Sequence, residues 1–316
     1  EDKTSSGVYA MRAPPEEEAP RAGPSSSTLN AFSGAVAGAM GAAVTTPLEV
    51  LKTRLQVQTR RKYRTILGSL GLILREEGLR GLYRGLAPTL FALPPNWGIY
   101  FCTYEALRNY LVHESKGGHN AMAVNAISAT GAGLVTCVST NPLWVVKTRF
   151  QVQGIQSFKS SHRVFTKSYT STVGALYRIA REEGFRGLYS GLGPSIFGVA
   201  NVTIMLPLYE ELKELAAKRL NKEKKELQAV ELAASSALAK MVASSITYPH
   251  EVVRSRMQIS GQCAAILHTC GEVYKEGGLR AFYRGCATNL TRTMPTAAVT
   301  FTSFEIMSRN LEYWFR

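Results

Sequence analysis

A chain of 316 residues is long for one ordinary soluble domain, and its 37 Lys and Arg against 23 Asp and Glu give a net charge of +14. With 45% apolar and 19% charged residues, a mean hydropathy of -0.05 averages over apolar stretches and very basic connections. Such an excess suits an anionic membrane surface or an anionic substrate. Nucleic acid is disfavoured, because the basic residues recur at fixed places and no RNP, zinc-finger or helix-turn-helix pattern is present.

Residues 1–28 are rich in Ser, Pro, Glu and Ala without apolar periodicity, and read as a disordered N-terminal segment. The run Glu16, Glu17, Glu18 is too acidic for an intact transit peptide. The five cysteines (Cys102, Cys137, Cys263, Cys270, Cys286) are odd in number and form no C-x-x-C. They read as reduced thiols packed on helices rather than a disulfide framework or a zinc site.

Beyond residue 28 the chain repeats itself three times. TTPLEVLKTRLQVQ from Thr45 matches STNPLWVVKTRFQVQ from Ser139 and ITYPHEVVRSRMQ from Ile246. EEGLRGLYRG, EEGFRGLYSG and EGGLRAFYRG follow, ending at Gly85, Gly191 and Gly285. YFCTYEALR, LPLYEELK and FTSFEIMSR come last. Repeats over 29–113, 122–215 and 229–315 are therefore expected. Each holds two long apolar segments: 29–57 and 86–112, 122–152 and 191–218, 229–259 and 286–314. At 1.5 Å per residue, about 28 residues span roughly 40 Å, enough for a bilayer with its interfaces. Gly34, Gly38, Gly41, Gly131 and Gly133 are candidate close-packing positions between such helices. Between the members of a pair lies an amphipathic stretch such as YRTILGSLGLILREEG, with Ile66, Leu67, Leu70, Ile73 and Leu74 at helical spacing. It reads as a surface helix at the membrane boundary. A soluble solenoid also repeats, but it does not explain Pro inside apolar helices followed by fixed charges.

Pro47, Pro142 and Pro249 each remove a backbone hydrogen bond and kink their helices, so that three ends converge. Glu49 and Lys52 follow the first proline, Lys147 the second, Glu251 and Arg254 the third. A charge inside a membrane is costly and finds a partner across a cavity. Gln56, Gln151 and Gln258, nine residues beyond each proline, are placed to brace that ring. A second ring comprises Glu105 with Arg108, Glu210 with Lys213, and Glu305. Two rings at opposite ends make two gates, as alternating access requires. Static ion pairs holding helices together would explain one ring but not both.

P-x-[DE]-x-x-[KR] on odd helices with [FY]-[DE]-x-x-[KR] on even ones resembles the mitochondrial carrier family over about 29–315. The resemblance implies an all-α membrane protein: six transmembrane helices in three pseudo-threefold repeats, short amphipathic helices on the matrix side, both termini cytosolic. It implies matrix pairs Glu49–Lys147 and Glu251–Lys52. It also implies cardiolipin sites at Arg84, Gly85, Gly191, Arg284 and Gly285, where phosphate meets a helix N-terminus. Trp144 stands where repeat two should have an acid, so Arg254 loses its partner. Ser308 stands where a base belongs, and Gly277 replaces the Glu of positions 77 and 183. Each ring then has two ion pairs rather than three.

For the substrate, Arg292 has no obvious acid beside it, which points to an anion. Gly198 and Val199 at the matching level leave a flat apolar slot suited to a planar base, and Asn96, Trp97 and Tyr100 add polar and stacking surface. LPPNWGIYF, NPLWVVKTR and FYRGCATNLTRTMPTAAVTFTSFE are similar to NAD carriers of plants and yeasts. This implies exchange of NAD for AMP or ADP across the mitochondrial inner membrane, with plastid envelope or peroxisome as other settings. A flavin, folate or pyrimidine-nucleotide carrier is the alternative within the family. A structural subunit of a larger membrane complex is the alternative outside transport. An enzyme is not expected: no P-loop, nucleophile–base pair or metal cluster is present, and GAVAGAMG follows no strand. No cofactor is expected beyond bound cardiolipin, and the transporter is expected to be monomeric.

Overall fold

The computed structural model describes residues 26–58, 63, 65–114, 121–154, 168–220, 229–261 and 266–314. Most of the segment expected to be disordered, and Cys263, lie outside them. Everything regular among the described residues is helical. The long helices are α1 (Ser26–Val57), α3 (Leu86–Glu114), α4 (Ala121–Val152), α6 (Leu192–Leu220), α7 (Ala229–Ser260) and α9 (Cys286–Trp314). The short ones are α2 (Ile66–Leu82), α5 (Thr172–Leu188) and α8 (Ile266–Gly277), the last continued by a 3-10 turn over Gly278–Tyr283. Helix α1 starts at Ser26, three residues before the sequence placed it.

Extensive packing joins α1 to α9, α3 to α4 and α6 to α7, and smaller contacts close the ring. The helices α1, α4 and α7 also touch one another pairwise. They meet at their C-terminal ends, where Val57, Val152 and Ile259 form an apolar cluster. The prolines make that convergence possible. Each deprives a carbonyl one turn back of its amide partner, and the hydroxyl two residues before each proline bonds the carbonyl four residues before itself: Thr45 to Gly41 O at 2.8 Å, Thr140 to Thr136 O at 2.8 Å, Thr247 to Ala243 O at 2.9 Å.

The glycines divide. A Cβ at Gly41 would lie 2.6 Å from Thr300 Oγ1 and one at Gly131 2.7 Å from Leu107, so these two set close helix approaches. Gly34 and Gly38, expected to do the same, have open space around them.

In α2, Ile73 is buried against Leu51 and Tyr63, with Ile66 and Leu70 packed alongside. Leu67 is 83% exposed and Leu74 45%, so the amphipathic stretch has a second apolar edge facing outward. By length and apolarity, Gly34–Val57 and Ala123–Val152 suffice to cross a membrane.

Candidate functional site

The charged residues that follow the prolines come together where α1, α4 and α7 converge. Lys147 Nζ lies 2.9 Å from Glu49 Oε2, and Lys52 Nζ lies 2.5 Å from Glu251 Oε2 and 2.8 Å from Asn289 Oδ1. All four side chains are largely but not fully buried, so that solvent still reaches them. Gln56 Nε2 reaches Tyr248 Oη at 3.0 Å and Glu251 at 3.5 Å. Gln151 and Gln258 do not touch these ion pairs. They accept from Thr53 at 2.7 Å and Thr148 at 2.6 Å, joining α4 to α1 and α7 to α4.

Arg292 departs from the sequence expectation. It is paired, through an ion pair with Glu49 Oε1 and a hydrogen bond to Asn289 Oδ1 at 3.4 Å. One carboxylate thus carries two cations, Lys147 on one oxygen and Arg292 on the other. Sequence reading missed the acid because it sits in another repeat, on the helix against which α9 packs.

Trp144 does more than delete an acid. Its ring lies 4.7 Å from Lys147 Nζ, a cation–π contact. Its indole N–H donates to Thr140 Oγ1 at 3.2 Å and Asn96 Oδ1 at 3.4 Å. Arg254 has no ion pair among the described residues.

The expected base slot is not open. A Cβ at Gly198 would lie 3.0 Å from His250 Nε2, and Val199 faces Gly133 of α4. A polar imidazole of α7, which repeat spacing alone could not place there, borders the glycine. Asn96 is engaged by Thr140 and Trp144. Trp97 is 53% exposed and stacks on Phe101 at 5.7 Å, while Tyr100 stacks on Tyr104 at 6.3 Å.

Among the described residues the second ring is not assembled. Arg108 Nε and Tyr104 Oη both donate to Asn125 Oδ1, at 3.2 and 3.3 Å. Lys213 stands 3.9 Å from Glu210 on its own helix, and Glu105 is exposed. The side chain of Glu305 lies outside the described residues. This end stays apart because the odd helices meet at the other.

A buried ring that the sequence reading did not single out lies beneath the first. Arg54, Arg149 and Arg256 make bidentate pairs with Glu77 (2.6 and 2.9 Å), Glu183 (2.5 and 2.7 Å) and Glu276 (2.7 and 2.7 Å). Their Nε atoms donate to the carbonyls of Gln151, Gln258 and Gln56 on the next odd helix, at 3.0, 2.9 and 3.1 Å. Each arginine thereby ties its short helix to two odd helices. The signal was present as the second basic residue of KTR, KTR and RSR.

Two expectations are corrected here. Glu276 supplies the carboxylate that Gly277 was expected to remove, because the chain runs from α8 into a 3-10 turn rather than one kinked helix. Burial works to raise the Glu276 carboxyl pKa, but the hydrogen bond and charge of Arg256, aided by Arg284, hold it below the usual range. Arg84 and Arg284, expected to face lipid phosphate, bind inward instead. Arg84 pairs with Glu77 at 2.6 Å and bonds the Gln153 carbonyl; Arg284 pairs with Glu276 at 2.7 Å and bonds the Gln58 carbonyl at 2.9 Å. Gly85, Gly191 and Gly285 have φ of 98°, 75° and 87°, just ahead of the N-termini of α3, α6 and α9.

A family model described as "Mitochondrial carrier protein" matches residues 23–115, 118–220 and 225–313, once for each repeat. The chain belongs to the mitochondrial carrier family. It is 46% identical over 294 residues to "Nicotinamide adenine dinucleotide transporter 1, chloroplastic" of Arabidopsis thaliana, covering 89% of this carrier and 91% of the relative. To "Nicotinamide adenine dinucleotide transporter 2, mitochondrial" of the same plant it is 44% identical over 294 residues, covering 89% and 78%. To "Mitochondrial nicotinamide adenine dinucleotide transporter 1" of Saccharomyces cerevisiae it is 38% identical over 302 residues, covering 91% and 78%.

Proposed function

We propose that this carrier spans a membrane with α1, α3, α4, α6, α7 and α9 and exchanges NAD for an adenine mononucleotide by alternating access. The observation that carries the reading is Arg292 on the shared Glu49 carboxylate. A phosphate reaching that depth competes with Glu49 for the guanidinium, so substrate binding loosens the closed ring itself. Charge-assisted hydrogen bonds to phosphate contribute about 1.5–3 kcal/mol, and the part of this that differs between the two states is what shifts the balance toward opening. The assembled ring of Glu49, Lys52, Lys147 and Glu251 is then the matrix gate, shut. Glu105, Arg108, Glu210 and Lys213, which form no ring of ion pairs among the described residues, belong with Glu305 to the cytosolic gate, open. The names of the relatives support the dinucleotide as cargo.

The membrane is the mitochondrial inner membrane, in keeping with the mitochondrial relatives; the chloroplastic relative makes a plastid envelope the other setting. Anionic lipid binds the backbone amides opening α3, α6 and α9, beside Gly85, Gly191 and Gly285, rather than the inward-turned arginines. Uptake of labelled NAD into liposomes bearing the purified chain, preloaded with NAD or AMP, tests the assignment; uptake of folate or FAD alone contradicts it.

A further inference from the structure

The position nine residues before each motif proline is Gly38, Gly133 and Lys240. In repeat two this position faces the even helix of its own repeat, since a Cβ on Gly133 would lie 3.5 Å from Val199 of α6. Val199 is eight residues beyond Gly191, as Thr293 is beyond Gly285. By the pseudo-threefold relation Lys240 of α7 therefore projects toward α9 at the level of Thr293 and its neighbour Arg292. The two cations are close enough to act on each other electrostatically. Lys240 is exposed and has no carboxylate partner among the described residues, and the acid next to Arg292 already holds Lys147. Glu49 is shared between Arg292 and Lys147 and leaves nothing for Lys240, so Lys240 and Arg292 repel unless a further anion comes between them. Where the other repeats carry no side chain, this one breaks the threefold symmetry with a charge. An asymmetric substrate requires such a break.

Resting on the reading above, we infer that Lys240 is the second cation of the substrate site and takes the second phosphate of the dinucleotide's diphosphate bridge, Arg292 taking the first. AMP, with one phosphate, engages Arg292 and leaves Lys240 unused. Lysine suits the role, being a flexible point charge that follows a phosphate without demanding one geometry.

The test is exchange by purified protein in liposomes, with wild type, Lys240→Gln and Lys240→Arg each assayed on labelled NAD and labelled AMP. Lys240→Gln raises the half-saturating NAD concentration about tenfold, the loss of roughly one charge-assisted contact. It changes that for AMP by less than about twofold, and Lys240→Arg stays near wild type for both. No change for NAD, or an equal rise for both substrates, overturns the inference. A wild type that moves neither nucleotide overturns the function beneath it, and is seen before any variant is made. Lys240 makes no hydrogen bond or ion pair among the described residues, so the variants fold, as their melting temperatures check.

Discussion

Arg292 on α9 and Glu49 on α1 form an ion pair across 243 residues of sequence, while Lys147 of α4 holds the other Glu49 oxygen. Three helices from three repeats thus meet on one carboxylate. Glu49→Gln removes the charge that both cations share. It leaves two partly buried cations uncompensated, so the melting temperature falls and the closed ring opens more readily. An unchanged melting temperature in differential scanning fluorimetry contradicts the shared-carboxylate account.

Trp144 occupies an acid position and packs its ring on Lys147. Trp144→Asp supplies a carboxylate for Arg254 and completes the third ion pair of the ring. Exchange turnover should fall, because a fuller ring is harder to open. An unaltered turnover number means that Arg254 does not take part.

Glu276, not a residue at position 277, closes the third buried arginine pair. Glu276→Ala destabilises the protein, because it leaves the largely buried Arg256 and Arg284 without the carboxylate they share. Arg149→Ala, which removes a fully buried arginine from its bidentate pair with Glu183, costs more, about 3–5 kcal/mol. The pH dependence follows from the sign of the shift. Since the Glu276 pKa is lowered in the fold, its contribution is present above the ordinary carboxylate range and lost as pH falls below it. Glu276→Gln should therefore flatten the acid limb of the stability curve.

Gly154 ends the turn after α4 with φ of 99°, and a Cβ there would lie 2.0 Å from Arg84 Nη1. Gly154→Ala combines an unfavourable left-handed backbone, about 1 kcal/mol, with displacement of the Arg84–Glu77 pair. A lower melting temperature is expected; wild-type stability would show that the arginine moves freely.

The sequence made visible whatever repeats within one motif. The all-helical fold and the convergent prolines follow from residues recurring at fixed spacing, while the Glu49–Lys147 and Lys52–Glu251 contacts came from the family resemblance those residues carry. Contacts between unlike motifs were hidden. Arg292 meets Glu49 only because α9 packs on α1, and His250 borders Gly198 only because α6 packs on α7. The buried arginine ring was legible as a threefold recurrence, yet its partners lie in a different motif, 20 to 34 residues on. Glu276 shows the limit of position-by-position comparison: a backbone change returned the carboxylate that the alignment had removed.

The most direct test is uptake of labelled NAD into AMP-loaded liposomes by wild type, Arg292→Ala and Arg292→Lys. Wild type accumulates label, Arg292→Ala cuts the rate at least about tenfold, and Arg292→Lys restores part of it, keeping charge without the bidentate fork. Wild type that carries folate or FAD but no adenine nucleotide, or an Arg292→Ala rate equal to wild type, contradicts the account.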